Sequence, residues 1–227
     1  MSVSSHGLRR MVDLSHVIEQ GMTTYKGLPG PVISEFLNRE DSCRIYAEGT
    51  TFHIGKIEMV ANTGTYLDSP FHRYARGEDL AELPLTGLAN LDGIVIRAIQ
   101  RPQRAISAAF CANLDVIGKA VLFQTGWDAH WRSEQYFEGH PYLTRDTAQL
   151  LADSEAALVG IDSLNIDDTD DLSRPVHSIL LAAGIPIVEH LVNLQTLPPR
   201  GFRFFAVPPR VKQFGSFPVR AFAIIEQ

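Results

Sequence analysis

One short stretch of the sequence places groups that bind metals or transfer protons close together. In ANTGTYLDSPFHRY, residues 61–74, Asp68 and His72 lie four residues apart, just after a Thr-Gly-Thr turn. Carboxylate and imidazole groups are ligands for Zn²⁺, Mn²⁺ and Fe²⁺, and an imidazole also exchanges protons near neutral pH. Asn62 and Tyr66 have the same spacing but are poor ligands for such metals. The stretch therefore indicates either a metal site or an acid–base site.

Two further residues of the same chemical types follow later in the chain. His177 begins the apolar run HSILLAAG, which predicts a helix ending at Gly184, and Glu189 lies in IPIVEH, which predicts the next strand. A helix and the strand after it can bring such side chains together. Spacing alone does not establish a site, because an Asp–His pair is more often a hydrogen-bonded loop than a set of metal ligands.

The elements that must position these side chains are mostly strands. The run TRDTAQLLADS predicts a helix capped by Thr144, and the prolines and glycines of TTYKGLPGPVI predict a loop at 23–33. Asp68 and His72 are expected in a loop that follows a strand. Strands are predicted at residues 11–19, 53–61, 91–99, 119–125, 156–162, 185–190, 202–209 and 219–225. The sequence therefore predicts an α/β fold that is rich in β-structure.

Composition narrows the class of protein. No linker divides the 227 residues, so one domain over 1–227 is expected. The formal net charge of −6 argues against nucleic acid as a partner, and no apolar run approaches the roughly 18 residues that span a membrane. Cys43 and Cys111 have no metal-binding spacing and are expected to be free thiols. Without an apolar leader at its N-terminus, the chain is expected in the cytoplasm, acting on a small molecule.

Longer motifs make the sequence resemble a known family. They are DLSH, TYKGLPGP, NTGTYLDSPFH, LFQTGWD, GHPYLT, VGIDSLNID, VHSILLAAGIPIVEHLVNLQTL and FPVRAFAI. Together they resemble the cyclase superfamily of metal-dependent hydrolases, which includes bacterial kynurenine formamidase and isatin hydrolase. The signature of that family, His-x-Gly-Thr-His-x-Asp-x-Pro-x-His, is matched here by Gly64, Thr65, Asp68, Pro70 and His72.

The resemblance implies a fold, an assembly and a fuller site. The fold would be the family's swivelling β/β/α type, and the protein would be a homo-oligomer, either a dimer or a tetramer. His177 and Glu189 match the family's helix histidine and strand glutamate. Asn62 and Tyr66 stand where the family has its first two signature histidines, so a mononuclear site of the isatin hydrolase type is damaged. The residues matching a second metal site are all present, namely Asp68, His72, His177 and Glu189.

Three functions stay open at this point. In the expected one the pocket has no metal and catalyses acid–base cyclisation of a small carbonyl-containing ring compound, in secondary-metabolite biosynthesis. His72 or His177 would then transfer protons, Asp68 or Glu189 would orient the imidazole, and Tyr66 with Asn62 would stabilise an oxyanion. In the second, one Zn²⁺, Mn²⁺ or Fe²⁺ remains and a small amide or lactone is hydrolysed. In the third, the chain is a binding protein on the same fold.

Aromatic residues near these motifs are candidates for substrate contact. Tyr25, Phe71 and Trp127 are expected to line the pocket, because small-molecule sites are mostly apolar and aromatic. Arg220, in the stretch Pro-x-Arg, is expected to form a structural ion pair.

Overall fold

The computed structural model describes residues 9–99 and 102–225, and β-structure dominates them. The strands are β1 (Arg10–Asp13), β2 (Val32–Leu37), β3 (Ile54–Glu58), β4 (Tyr66–Asp68), β5 (Leu91–Arg97), β6 (Ala105–Ile106), β7 (Ala120–Gln124), β8 (Tyr142–Leu143), β9 (Leu158–Ile161), β10 (Ile187–Glu189), β11 (Phe202–Phe205), β12 (Ser216–Pro218) and β13 (Phe222–Ile225). The α-helices are α1 (Arg39–Ser42), α2 (Arg145–Asp153) and α3 (Pro175–Ala182). The predicted β-rich α/β class is confirmed.

One large sheet organises the chain. Its nine strands have the order β1-β13-β11-β5-β7-β9-β10-β4-β12, with a parallel centre from β5 to β10. Because β1 pairs with β13, the two ends of the described chain meet in the same sheet. This pairing supports the expected single domain, which stays a prediction because residues 1–8, 100, 101, 226 and 227 lie outside the described residues.

The hydrophobic core has two parts, one on each face of the sheet. Along β5, Val95 belongs to one cluster, whereas Ile94 and Ile96 belong to the other, as expected because successive side chains on a strand alternate in direction. Leu151 of α2 and Leu180 of α3 join the second cluster, so both helices pack on the same face. The central strands are apolar on both faces, which is why they read as continuous apolar runs in the sequence.

The two predicted helices are confirmed as α2 and α3, and only the start of α3 differs from the prediction. The side chain of Thr144 accepts a hydrogen bond at the start of α2, as expected of an N-cap. Helix α3 begins at Pro175, before the predicted start at His177, because the fixed φ of proline suits the first helical position. Gly184 follows the end of α3 with φ +74, a left-handed conformation that ends a helix readily only at glycine or asparagine.

The prediction of a loop around the acidic motif residue was wrong. Asp68 lies on β4, a three-residue strand that is buried between β10 and β12, and only His72 lies beyond it, in a 3-10 turn. A strand this short shows no alternation in the sequence, so the pattern could not reveal it. The pairing of Asp68 with Ile187 on β10 and with Ser216 on β12 fixes the carboxylate inside the sheet.

The segment before the motif also differs from prediction. The strand predicted at 53–61 exists as β3, but it pairs with β2, whose first residues were predicted to be loop. The two strands form a separate two-stranded sheet with exposed side chains. Cys43 and Cys111 are free, as expected, and Arg220 forms the expected ion pair, with Asp13 at 2.8 Å. None of the described helices is long and apolar enough to cross a membrane.

Candidate active site

Asp68 is the buried centre of the predicted cluster. Its side chain is inaccessible to solvent, and its Oδ1 accepts a hydrogen bond from the hydroxyl of Ser216 on the neighbouring strand. Its Oδ2 has no hydrogen-bond partner among the described residues and lies 3.6 Å from Nε2 of His177. Burial alone would raise the pKa of Asp68, but the neighbouring imidazoles of His177 and His72 lower it. A buried carboxylate oxygen without a partner is costly unless a cation lies beside it.

His72 is held by the same serine. Its Nδ1 lies 2.8 Å from Oγ of Ser216, and because that hydroxyl donates its proton to Asp68, the oxygen accepts from His72 Nδ1–H. This arrangement leaves the Nε2 lone pair of His72 free. A Cβ at Gly215 would lie 2.5 Å from Cα of His72, so the close approach of β12 to this turn requires glycine.

His177 is anchored by a residue that the sequence interpretation missed. Its Nδ1 lies 2.7 Å from Oδ2 of Asp167, and the carboxylate of Asp167 also accepts the backbone N–H groups of Val176 and His177 at the start of α3. The Nε2 of His177 therefore points towards Asp68 and towards Oε1 of Glu189, at 3.7 Å. Burial would lower the pKa of His177, but its hydrogen bond to Asp167 and the nearby carboxylates of Asp68 and Glu189 raise it to about 10.

Glu189 differs from Asp68 because both of its oxygens have hydrogen-bond donors. Oε2 accepts from the hydroxyl of Tyr66 at 2.6 Å, and Oε1 accepts from the backbone N–H of Ile166 at 2.7 Å. Burial raises the pKa of Glu189 to about 7. Burial and the nearby charge of Glu189 also raise the pKa of Tyr66 well above 10. The phenol therefore stays protonated, and its hydroxyl donates a hydrogen bond to Glu189.

The residues present fit a divalent metal with three protein ligands. Asp68, His72 and His177 each offer a ligand atom, and these atoms lie within 4.8 Å of one another. Both imidazoles are fixed through Nδ1 by a hydrogen-bonding partner, which is how metal-binding histidines are usually oriented. Glu189, the fourth predicted ligand, is occupied by Tyr66 and Ile166. A set of three ligands leaves a coordination position open, as catalytic zinc sites require.

A cavity of about 320 Å³ opens onto this cluster. Asn62, Tyr66, His72, His177, Glu189 and Tyr25 line it, so one of the three expected substrate contacts reaches the cavity. Phe71 and Trp127 are not among its lining residues, and the indole N–H of Trp127 donates instead to the backbone carbonyl of Tyr136 at 2.9 Å. Arg73 and Arg174 add two positive charges to the wall, which the sequence interpretation did not single out.

An aromatic cluster lies behind Tyr66. The ring of His190 lies 5.2 Å from that of Tyr66 and its Nδ1 is hydrogen-bonded to the hydroxyl of Tyr136 at 2.8 Å. His16, from the motif DLSH, stacks on Trp131 with ring centroids 3.9 Å apart. Burial lowers the pKa of His190 to about 3 and that of His16 to about 4, so both imidazoles are neutral near pH 7.

In the His16→Phe variant, the free energy of unfolding is expected to depend less on pH than it does in the wild type. The pKa of His16 falls from 6.5 in the unfolded chain to about 4 in the folded one, by burial and the charge of Arg132. Below pH 6.5 the unfolded state therefore binds the proton more readily, and stability present above pH 6.5 is lost as pH falls towards 4. We expect the free energy of unfolding to drop between pH 7.5 and pH 5 by about 2 kcal/mol more in the wild type than in the variant.

Urea unfolding at the two pH values measures this difference. Phenylalanine can keep the stack on Trp131, and Nε2 of His16 has no hydrogen-bond partner to lose among the described residues. An equal loss of stability in the two proteins would contradict the assignment of this titration to His16.

Comparison with known proteins shows the family to which the chain belongs. The family model named Cyclase matches residues 12–168, more than half of the chain, and the chain therefore belongs to the cyclase family. It is 25% identical over 222 residues to a kynurenine formamidase of Bacillus cereus, covering 92% of this chain and 95% of the relative. Isatin hydrolase A from Ralstonia solanacearum has a similar fold, with a TM-score of 0.80 at 20% identity, covering 96% of this chain and 92% of that one.

A further solved structure, described as a potential metal-dependent hydrolase with cyclase activity, is similar to this chain as well. The TM-score is 0.78 at 24% identity, and the alignment covers 96% of this chain and 99% of the other. The protein is therefore an enzyme of this superfamily, and the family resemblance read from the sequence is confirmed.

Proposed function

We propose that this enzyme hydrolyses a small cyclic amide or lactone with a divalent metal held by Asp68, His72 and His177. The observation that carries the proposal is Oδ2 of Asp68, a fully buried carboxylate oxygen without a hydrogen-bond partner among the described residues, beside the Nε2 of His177. This favours hydrolysis over the metal-independent cyclisation expected from Asn62 and Tyr66. The three ligands also remove the difficulty that four protein ligands would fill a tetrahedral site.

Each residue of the cluster has a distinct task in this proposal. When bound, a metal of the Zn²⁺, Mn²⁺ or Fe²⁺ type supplies Lewis acidity towards a carbonyl oxygen and lowers the pKa of water. Ser216 and Asp167 hold His72 and His177 through Nδ1, so Nε2 is the nitrogen that each imidazole would offer to the ion. Glu189 lines the cavity, and its pKa, raised by burial to about 7, suits the exchange of a proton near neutral pH.

The volume of the cavity and the names of the relatives support this substrate class. A volume of about 320 Å³ is at the lower end of ligand pockets and suits a compound of one or two rings. Tyr25 supplies an aromatic wall, and Asn62 and Asn165 supply amide groups for a carbonyl or ring N–H. The names isatin hydrolase and kynurenine formamidase point to aryl amides. We do not extend kynurenine formamidase activity itself to this chain, because Asn62 and Tyr66 replace two histidines of the family signature.

Metal-independent cyclisation of a small carbonyl compound, in secondary-metabolite biosynthesis, is the second candidate. It is favoured by the position of His177, whose Nε2 lies between Asp68 at 3.6 Å and Glu189 at 3.7 Å. In that arrangement His177 donates a proton to the substrate and Asp68 stabilises the charged imidazole. The hydroxyl of Tyr66 is less available to an oxyanion than the sequence suggested, because it already donates to Glu189.

Elemental analysis of untagged protein tests the proposal. We expect about one equivalent of Zn, Mn or Fe per chain, and its loss in Asp68→Asn, since the amide removes the anionic oxygen while keeping the shape. Asp115→Asn is the matched control, because Asp115 is an exposed carboxylate that pairs with Lys119 and is not among the residues that line the cavity.

Activity on small aryl amides and lactones, before and after chelation, completes the test. Hydrolysis that is lost with the metal and restored by adding it back supports the proposal. A folded protein that is metal-free and remains so when incubated with the three metals would reject it and favour cyclisation.

A further inference from the structure

Two arginine side chains in the wall of the active-site cavity have no acidic partner. Arg73 and Arg174 both line the cavity, and neither forms an ion pair with a carboxylate of the described residues. Other arginines of the chain do so, since Arg104, Arg132 and Arg220 each pair with a carboxylate at 2.6 to 3.0 Å. Guanidinium groups that face a cavity without a carboxylate are available to an anionic ligand.

Arg174 is anchored in a way that leaves part of its guanidinium available. Its Nη1 donates to the backbone carbonyls of Asp168 at 2.7 Å and Asp171 at 3.2 Å, whereas its Nε and Nη2 make no hydrogen bond with the described residues. Both acceptors are neutral, so these bonds fix the side chain without pairing its charge. The carboxylates of the two aspartates are engaged elsewhere, because Asp168 pairs with Arg104 and Asp171 accepts from Ser173.

The backbone of Arg174 is in an unfavourable conformation. Its φ of 47 and ψ of 61 lie in the left-handed region, which is costly for a residue with a Cβ. It also precedes Pro175, and a residue before proline normally adopts an extended conformation. Glycine would fit this position with less strain. Strained residues are concentrated at functional sites, so a large cationic side chain at this position supports a role in the cavity.

Arg73 reaches the same region from the turn that carries His72. Its Nε donates to Oγ of Ser178 at 3.3 Å, in the first turn of α3, and the backbone N–H of Ser178 donates to the carbonyl of Arg174 at 3.0 Å. The guanidinium also lies 5.3 Å from the centre of the Tyr74 ring, a contact that holds the side chain without pairing its charge. Its Nη1 and Nη2 make no hydrogen bond with the described residues. The two arginines therefore come together at the start of α3.

Tyr25 adds an uncharged donor near Arg174. Burial, with the charge of Glu189, raises the pKa of Tyr25 to about 12, whereas the charge of Arg174 opposes that rise. The hydroxyl is therefore protonated near pH 7, and it makes no hydrogen bond with the described residues. Glu189 is the only carboxylate among the described residues that line the cavity, and its two oxygens already accept from Tyr66 and Ile166. The cavity thus holds free donors and no free carboxylate to pair with them.

We propose that Arg73, Arg174 and Tyr25 form an anion subsite, and that the substrate carries a carboxylate or phosphate group apart from the bond that is cleaved. Both anions match the paired N–H donors of a guanidinium group, and a phenol hydroxyl adds a third kind of donor. A neutral ring would leave the two positive charges unpaired in the wall of the cavity. The identity of the substrate class rests on the proposed hydrolysis, but the subsite itself is tested without turnover.

Titration calorimetry of the untagged full chain tests the subsite, with benzoate, phenyl phosphate and neutral benzamide as probes. We expect Arg73→Gln to weaken binding of the preferred anion by about 10- to 100-fold, the worth of a hydrogen bond to a charged group, and to leave benzamide unaffected. Tighter binding of benzoate identifies a carboxylate, and tighter binding of phenyl phosphate identifies a phosphate. The matched control is Arg76→Gln, an exposed arginine that lines a different surface groove and should bind all three probes as the wild type does.

The same titrations on the chain after removal of the metal separate the arginines from the ion, which also attracts anions. Anion binding that persists without the metal and falls in Arg73→Gln belongs to the arginines, whether or not the protein is a hydrolase. Binding that is lost with the metal would assign the anion to the metal site and overturn the proposal. The absence of any preference of the wild type for benzoate or phenyl phosphate over benzamide would overturn it too.

Turnover shows whether the subsite selects substrates. The test pair is phthalide, a neutral two-ring lactone, and phthalide that carries the anion selected by titration on its benzene ring. In the wild type kcat/KM should be about 10- to 100-fold higher for the charged lactone, mainly through KM, and the two values should approach one another in Arg73→Gln. Arg174→Lys should keep part of the preference, because it retains the charge and loses the paired donors.

An equal loss on both lactones in the arginine variants would indicate a structural role or stabilisation of an oxyanion, and would contradict an anion subsite. If neither lactone is hydrolysed while anion binding still depends on Arg73, the result counts against the proposed hydrolysis and supports the subsite.

Discussion

The His72→Ala variant is expected to lose turnover, with kcat/KM reduced by at least about 1,000-fold. His72 offers the cavity a free Nε2, because its Nδ1 donates to Ser216. With a metal, alanine would remove one of three ligands and the site would no longer hold the ion in place. Without a metal, alanine would remove one of the two imidazoles that can transfer protons, a group whose contribution is typically 100- to 10,000-fold.

Two measurements make the His72 result interpretable. His130→Ala is the matched control, since His130 is half-buried against Trp127 and does not line the cavity, and it should keep most of the wild-type activity. Metal content of His72→Ala then distinguishes the two candidate functions, because only the hydrolase loses its ion. Near-normal turnover in His72→Ala would reject both mechanisms.

Part of the site could be predicted from the sequence, because carboxylate and imidazole side chains indicate metal binding or proton transfer by their type. Asp68 and His72 stand out by spacing, whereas His177 and Glu189 stand out only by chemical type and by their place on a helix and the next strand, and the family resemblance then assigned them to the site. No local pattern links positions 68 and 189, which become neighbours because β4 pairs with β10. This contact comes from sheet topology, and one sequence without an alignment does not specify it.

The sequence interpretation missed Ser216 and Asp167, which act by holding His72 and His177 in place. Ser216 looks like an ordinary strand-end serine, and its role depends on Gly215 letting its strand approach His72. Asp167 lies among the acidic residues of NIDDTDD, where a solvated loop was the natural interpretation. Unlike its neighbour Asp168, it is fully buried and faces the first turn of α3. Burial, which the sequence does not display, separates the two.

The strands, like the site residues, could be predicted only in part. Runs such as KAVLFQT and AALVGID were predicted as strands because apolar side chains cover both of their faces in the sheet centre. The strand β2 was not predicted, because its exposed residues show no alternation towards a core and a Pro-Gly-Pro run precedes it.

Asp167→Asn is expected to weaken metal binding by about 10- to 100-fold, with a similar loss in kcat/KM, although Asp167 touches neither metal nor substrate. The carboxylate accepts three donors at once, the N–H groups of Val176 and His177 and the imidazole Nδ1–H. Asparagine replaces one acceptor oxygen with a donor. Nδ1–H is then no longer fixed, and His177 can move its proton to Nε2, which removes the ligand lone pair. Loss of a helix-capping bond also costs about 1 kcal/mol of stability.

A merely structural role would lower stability alone, so both quantities must be measured on the same variants. Chelator competition gives the metal dissociation constant, and urea unfolding gives the stability. Asp168→Asn is the matched control, because that neighbouring carboxylate pairs with Arg104 at 3.0 Å and does not contact His177. If Asp167→Asn loses stability but binds metal as tightly as the wild type, Asp167 is only a helix cap. A shift in both, with Asp168→Asn unchanged, means that the buried carboxylate selects the tautomer in which His177 can bind a metal.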